Sequence, residues 1–282
     1  MLENKTIGFI GAGSMAEAIL GGLITKNKVK PGQVSMVNRE NQMRLKEICQ
    51  RYGLDLNRQK EEIVAHADIV ILAVKPKDVI DVLRKWGKSF QEGQILISVA
   101  AGIPTELIEN YIQNQVSVLR VMPNTSCRVG LSATAMSKGS RATREAVEIT
   151  RLIFSTIGLV IVVEETLMDA VTGLSGSGPA YIYYMMEAME SAGVSAGLNG
   201  ETARMLTVQT LLGAVHMLLH SGKDAKELRQ EVTSPGGTTM AGLQALSDYR
   251  VDEAVKAAVL KAKERASELG RQYASSGMFE SP

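Results

Sequence analysis

Ile7-Gly8-Phe9-Ile10-Gly11-Ala12-Gly13-Ser14-Met15-Ala16 decides the fold of this chain. A short apolar run ends in a glycine turn, and the turn opens a segment with helical periodicity. Gly11, Gly13 and Ala16 fill the pattern G-x-G-x-x-G/A. The first position permits a tight turn, the second removes a side chain where a pyrophosphate approaches, and the third lets helix and strand pack closely. Free N–H groups at the helix start then face the anion. The pattern alone is weak, but its place between a first strand and a first helix gives it meaning. A dinucleotide-binding turn is the expectation.

Outward from that turn, strand-like runs at 6–10, 34–37, 69–74, 94–99, 117–121, 131–136 and 159–163 alternate with helical stretches. The clearest helices lie at 14–25, 42–52, 79–86 and 141–157. This alternation reads as right-handed βαβ units in a largely parallel, doubly wound sheet. The run 69–74 shows no polar alternation, as expected of a central strand buried on both faces. Beyond 163 no further strand is evident. Helices are expected at 168–173, 180–192, 201–219, 225–232, 239–246 and 251–269. The organisation predicted is α/β: a Rossmann-type dinucleotide domain over 1–164, then an all-helical substrate and dimerisation domain over 165–270. A tail over 271–282 matches no strong pattern and is read as disordered.

Within the helical part, Met205, Leu206, Val208, Leu211, Leu212, Val215, Met217, Leu218 and Leu219 point in nearly every direction around one axis. Such a helix must be buried all round or span a membrane. Gln209, Thr210 and His216 interrupt a run already too short to span. Burial against a second subunit is the preferred reading, and an ordinary central core helix is the alternative.

The composition narrows the function classes. Among 282 residues, 31 Lys+Arg balance 30 Asp+Glu, leaving a formal charge of +1. That balance argues against a nucleic-acid partner, and no block of like charge suits a membrane surface. The two cysteines, Cys49 and Cys127, form no C-x-x-C pattern, which points to a reducing, cytoplasmic setting without a disulfide framework or metal site. No signal-peptide pattern is visible at the start. The 26 glycines are a surplus, about 9% against a typical ~7%, and they concentrate at particular turns.

Those turns hold the candidate site. An NAD site usually places Asp or Glu after the second strand to bind the ribose 2′-OH. Here Val37-Asn38-Arg39 offers a neutral group and a cation, which favours a 2′-phosphate and hence NADP(H), with NAD(H) still possible. Arg39 as a plain solvated charge is the bland alternative. Ala73-Val74-Lys75-Pro76 and Val99-Ala100-Ala101-Gly102 end later strands, where ligands of open α/β sheets sit. Lys75 is the charged group of these turns, read as orienting or salt-bridging. Further on, Gly173-Leu174-Ser175-Gly176-Ser177-Gly178-Pro179 is either a helix-packing point or a ligand-facing loop. The turn Ser234-Pro235-Gly236-Gly237-Thr238-Thr239 opens a helix. Its successive N–H groups form an anion site suited to a substrate carboxylate, or else a hydroxyl simply caps the helix. His66, His216 and His220 lie in helical stretches away from the glycine turns. No metal-spaced cluster or nucleophile elbow occurs, so hydride transfer, which needs positioning and a cofactor, is favoured over hydrolysis.

Taken together, Phe9–Ala16 with its glycines, Ala73-Val74-Lys75-Pro76, Met122-Pro123-Asn124-Thr125, the segment from Asp169 to Ala180 and the Ser234–Thr239 turn resemble the pyrroline-5-carboxylate reductases. The resemblance runs from about Lys5 to Leu269. It implies reduction of 1-pyrroline-5-carboxylate to L-proline with NADPH or NADH, in a homodimer or a ring of dimers. It implies cofactor contacts at Ile10, Gly11, Gly13, Ser14, Met15, Asn38, Arg39, Ala73, Val74, Lys75, Pro76, Ala100 and Asn124. By the same resemblance, Ser234, Gly236, Gly237 and Thr238 hold the substrate carboxylate, and Thr239 bonds the ring nitrogen as the catalytic group. A β-hydroxyacid dehydrogenase would want a catalytic lysine early in the second domain, and 164–200 contains neither Lys nor Arg. A non-catalytic, NAD(P)-sensing relative is the third reading, disfavoured by the intact Ser234–Thr239 turn.

Overall fold

The computed structural model describes residues 1–55 and 63–278. Seven strands form one sheet: β1 (Ile7–Ile10), β2 (Val34–Val37), β3 (Ile69–Leu72), β4 (Ile95–Ser98), β5 (Ser117–Met122), β6 (Ser132–Lys138) and β7 (Gly158–Val162). Their spatial order is β2-β1-β3-β4-β5-β6-β7. All neighbours are parallel except β5 and β6, which run antiparallel with Leu119 opposite Lys138 and Met122 opposite Ala135. The reversal has a local cause. Only a short 3₁₀ turn, Thr125–Val129, separates these strands, too little chain for the crossover that a parallel pair requires.

Helices α1 (Ser14–Thr25), α2 (Gln42–Tyr52), α3 (Ile63–His66), α4 (Val79–Trp86), α5 (Thr105–Glu109) and α6 (Arg144–Phe154) flank the sheet. Successive strand residues feed opposite faces. Phe9 and Ile71 join one apolar cluster with Leu20 and Leu23 of α1, Ile48 of α2 and Ile153 of α6. Ile10, Val70 and Leu72 join another with Leu83 of α4 and Ile108 of α5. This two-sided burial is why the run at β3 shows no polar alternation. The helix ends are set by side chains: Asn41 Oδ1 accepts the Arg44 N–H at 2.9 Å, and Gly53 ends α2 in the left-handed region.

The later chain forms α7 (Met168–Val171), a π-helical turn (Thr172–Gly176), α8 (Gly178–Ser195), α9 (Gly200–His220), α10 (Ala225–Glu231), α11 (Thr238–Asp248) and α12 (Val251–Met278). Two compact units result. One is Met1–Ser177 together with the chain from Leu260 onward, and the other is Gly178–Val259. The unit around the sheet thus runs past 164 to Ser177 and takes in the later part of the last helix, from Leu260. Met168 is fully buried, and Arg120 on β5 pairs with Glu165 and Asp169, which binds 165–177 to the sheet. The second half of α12 belongs there too: a Cβ on Gly270 would sit 2.8 Å from the Gly102 carbonyl oxygen, and Ala266 is buried.

The same helix continues to Met278, with Tyr273 packed against the second apolar cluster, and 279–282 of the expected tail lie outside the described residues.

In the helical unit, α8 and α9 approach closely, with Ala203 Cβ 3.0 Å from where a Cβ on Gly193 would lie. Asn199 caps α9, and Asp224 with Glu227 forms a capping box on α10. Of α9's side chains only Ala203 and Thr207 are buried in the chain itself, while Met205, Leu206, Leu212, Val215 and Leu219 are exposed. A central core helix is thereby set aside. Among the described residues, no helix is long and apolar enough to cross a membrane.

Candidate active site

The carboxyl ends of β1, β2 and β3 and the start of α1 frame a crevice of about 760 Å³. Gly11 adopts φ +109°, and its N–H donates to the Val37 carbonyl at 2.8 Å. A Cβ there would lie 2.4 Å from the Ala73 carbonyl oxygen, so only glycine lets β1 turn between its two neighbours. Gly13 caps α1 without any side-chain hydrogen bond, and among the described residues nothing beyond its own chain neighbours lies within 4 Å of where its Cβ would be. The result is a cradle of helix-start amides with open space before it, the chemistry a pyrophosphate needs.

Of the expected cofactor residues, Ile10, Gly11, Gly13, Ser14, Asn38, Arg39, Ala73, Val74 and Lys75 line this crevice together. Four do not. Met15 turns away, its sulfur 3.8 Å from Cys127 Sγ, and Pro76 starts the turn into α4. Ala100 is buried behind β4. Asn124 spends its amide on the Ser175 carbonyl at 3.0 Å and its Oδ1 on the Ser126 N–H at 3.2 Å. Burial pushes the Cys127 thiol up.

Arg39 is exposed but not merely solvated. Its guanidinium lies 2.9 Å from Glu40, 3.2 Å from Asp78 and 3.7 Å from Asp81. The hydrogen bond and charge of Arg39 hold the Glu40 carboxyl below its ordinary value, helped by Lys77 and Lys75. The cation is thus stationed between the end of β2 and the start of α4.

Sequence reading missed the far wall, where Asp78, Asp81, Lys85 and Trp86 enter from α4 and the turn before it. The signal was slight: a charged residue every few positions on a helix whose Val79 and Leu83 face the core. Trp86 is the chain's single tryptophan, with the Lys85 ammonium 4.8 Å from its ring centre.

The Ser234–Thr239 turn lies in the helical unit and leads into α11. Its cap is Gly237, with no side-chain cap hydrogen bond, so the reading of a self-satisfied N-cap does not hold. Gly236 takes φ +69°, and the Gly237 N–H donates to the Ser234 carbonyl at 3.0 Å. That N–H is therefore spent inside the turn, and the outward donors begin at Thr238. The glycine segment before α8 resolves towards packing: the π-helical turn sets Gly176 against the Met122 side chain, where a Cβ would meet Cε at 2.8 Å.

Residues 165–269 match the family described as pyrroline-5-carboxylate reductase dimerisation, and residues 6–102 match the family described as NADP oxidoreductase, coenzyme F420-dependent. Cradle, crevice and matched regions define the class: a dinucleotide-dependent oxidoreductase with a helical dimerisation region. Along almost its whole length the chain is 44% identical to pyrroline-5-carboxylate reductase 2 of Bacillus subtilis, covering 97% of this chain and 98% of that one. The chain belongs to the pyrroline-5-carboxylate reductase family. Among solved structures, the pyrroline-5-carboxylate reductase of Coxiella burnetii superposes with a TM-score of 0.87 at 36% identity, covering 94% of this chain and 98% of that one. The Plasmodium falciparum pyrroline carboxylate reductase, crystallised with NADP bound, gives 0.84 at 29% identity over 96% and 100% of the two chains.

Proposed function

We propose that this chain reduces 1-pyrroline-5-carboxylate to L-proline, the last step of proline biosynthesis, with NADP(H) preferred over NAD(H). Family membership over nearly the whole chain carries the reading, and the uncapped glycine cradle at α1 is the geometry that suits it. When bound, the reduced nicotinamide supplies the hydride that the ring C=N carbon accepts. The chain's own groups position and polarise. Amides at the start of α1 hold the pyrophosphate, and Arg39 meets the 2′-phosphate. Ser234, Gly236, Gly237 and Thr238 form the turn that takes the substrate carboxylate. The Thr239 hydroxyl donates a hydrogen bond to the ring nitrogen and polarises the C=N; a proton from solvent completes the amine as the hydride reaches the carbon, so the hydroxyl keeps its own proton. A homodimer or ring of dimers in the cytoplasm is the working form, a reading supported by the dimerisation match and the exposed apolar side chains of α9.

The direct test follows NADPH absorbance with pyrroline-5-carboxylate as acceptor. Turnover is the expected result. NADPH binding without turnover would overturn the catalytic reading and favour a nucleotide-sensing role.

The Arg39 assignment has its own test. Arg39→Ala should raise KM for NADPH by about tenfold, the loss of one charge-assisted contact, and leave KM for NADH unchanged. The effect is moderate because Glu40, Asp78 and Asp81 already compensate part of that charge. Equal effects on both cofactors would remove Arg39 from 2′-phosphate recognition.

A further inference from the structure

The acid that usually follows the second strand and binds a ribose 2′-OH is replaced here by Asn38 and Arg39. A carboxylate nevertheless reaches the same corner of the crevice from the opposite wall. Asp78, at the start of α4, lines the crevice with Asn38 and Arg39 and accepts from the Arg39 guanidinium at 3.2 Å.

Two features single out Asp78 from the other acids around Arg39. The first is that it is held in place: its side chain is 25% exposed, against 79% for Glu40 and 61% for Asp81. A mostly solvated carboxylate holds one geometry only at an entropy cost, and its charge is screened. The second is that Asp78 occupies the N-cap position of α4 yet makes no side-chain cap hydrogen bond. An aspartate there ordinarily accepts from the first amides of its helix. Its Oδ1 is given to Arg39 instead, and among the described residues Oδ2 has no hydrogen-bond partner.

We propose that Asp78 is a specificity-determining residue for the dinucleotide: its carboxylate accepts a hydrogen bond from the ribose 2′-OH of NAD(H) and opposes the 2′-phosphate of NADP(H). The acid missing after β2 is supplied from α4. The proposal rests on the reading that Arg39 meets the 2′-phosphate, since Asp78 shares the space that Arg39 faces. The two residues pull in opposite directions. A phosphate dianion gains from the guanidinium and is repelled by the carboxylate beside it. A hydroxyl gains little from the guanidinium, but the carboxylate gives it a charge-assisted bond. Asp78 thereby limits the preference for NADP(H) that Arg39 creates, and keeps NAD(H) usable.

Calorimetric titration of the native protein with oxidised NAD and oxidised NADP, without substrate, tests this apart from turnover. Asp78→Ala should raise the Kd for NAD relative to that for NADP by about tenfold, the worth of one charge-assisted hydrogen bond. Weaker NAD binding beside NADP binding that is as tight or tighter is a result no misfolded variant produces. An unchanged ratio, equal weakening of both cofactors included, would overturn the proposal. Arg39→Ala tests the underlying reading on its own, since equal weakening of both cofactors there would remove Arg39 from 2′-phosphate recognition. Adding Asp78→Ala to Arg39→Ala should shift the ratio in the same direction again. A shift seen only while Arg39 is present would overturn the direct contact, because Asp78 would then act through the arginine.

Discussion

Replacing Arg120 by alanine is expected to destabilise the fold by about 3–5 kcal/mol, the usual cost of removing one partner from a buried charge cluster. Arg120 sits within β5 with its side chain only 7% exposed, 3.5 Å from Glu165 and 3.4 Å from Asp169. Its loss would leave both carboxylates without their cation. They are not wholly abandoned: Glu165 accepts from the Thr105 N–H at 2.8 Å and from its hydroxyl, and Asp169 accepts from the Ser267 hydroxyl at 2.6 Å. That places the expected cost towards the lower end of the range. Denaturant unfolding at fixed protein concentration measures it. A midpoint within error of the unaltered protein would show that the cluster contributes nothing net. Combining Arg120→Met with Glu165→Gln and Asp169→Asn should recover much of the loss, because a neutral cluster leaves no buried charge unpaired.

Thr239→Ala is expected to lower kcat about a hundredfold, in the range seen when one preorganised donor to a developing charge is removed. KM for NADPH should stay unchanged, because the residue lies on α11 and outside the crevice beneath α1. The hydroxyl is available for this role because Gly237, not a threonine, caps the helix. Thr239→Ser should keep most of the activity. Steady-state kinetics give kcat, and quenching of Trp86 at the crevice wall reports cofactor binding independently. An unchanged kcat would take Thr239 out of the mechanism.

Much of the architecture was legible in the sequence because it depends on local signals. The seven strand-like runs coincide with β1–β7 to within a residue or two, and 14–25, 42–52 and 79–86 are α1, α2 and α4 as observed. Apolar runs and the glycine turn carry that information without help from the rest of the chain. What escaped depends on contacts between distant residues. The antiparallel turn of β6 follows from how little chain joins it to β5. The pairing of Arg120 with Glu165 and Asp169 spans some 45–49 positions, and its only trace is one charge in an otherwise apolar strand. The half of the cofactor wall given by α4 faces solvent, where sequence periodicity says least. The cofactor turn was legible because phosphate recognition there uses backbone, and glycine is the visible mark of backbone use.

The course of α12 bears on how the chain comes into being. Because the helix leaves one unit and finishes in the other, the helical region is an insertion and the sheet unit is assembled from both ends of the polypeptide. Synthesis delivers the N-terminal part first. The strap laid over Gly102 by Ala266 and Gly270 follows every helix of the insertion along the chain. The sheet unit is therefore closed by residues that the insertion separates from its strands by more than eighty positions, 178–259.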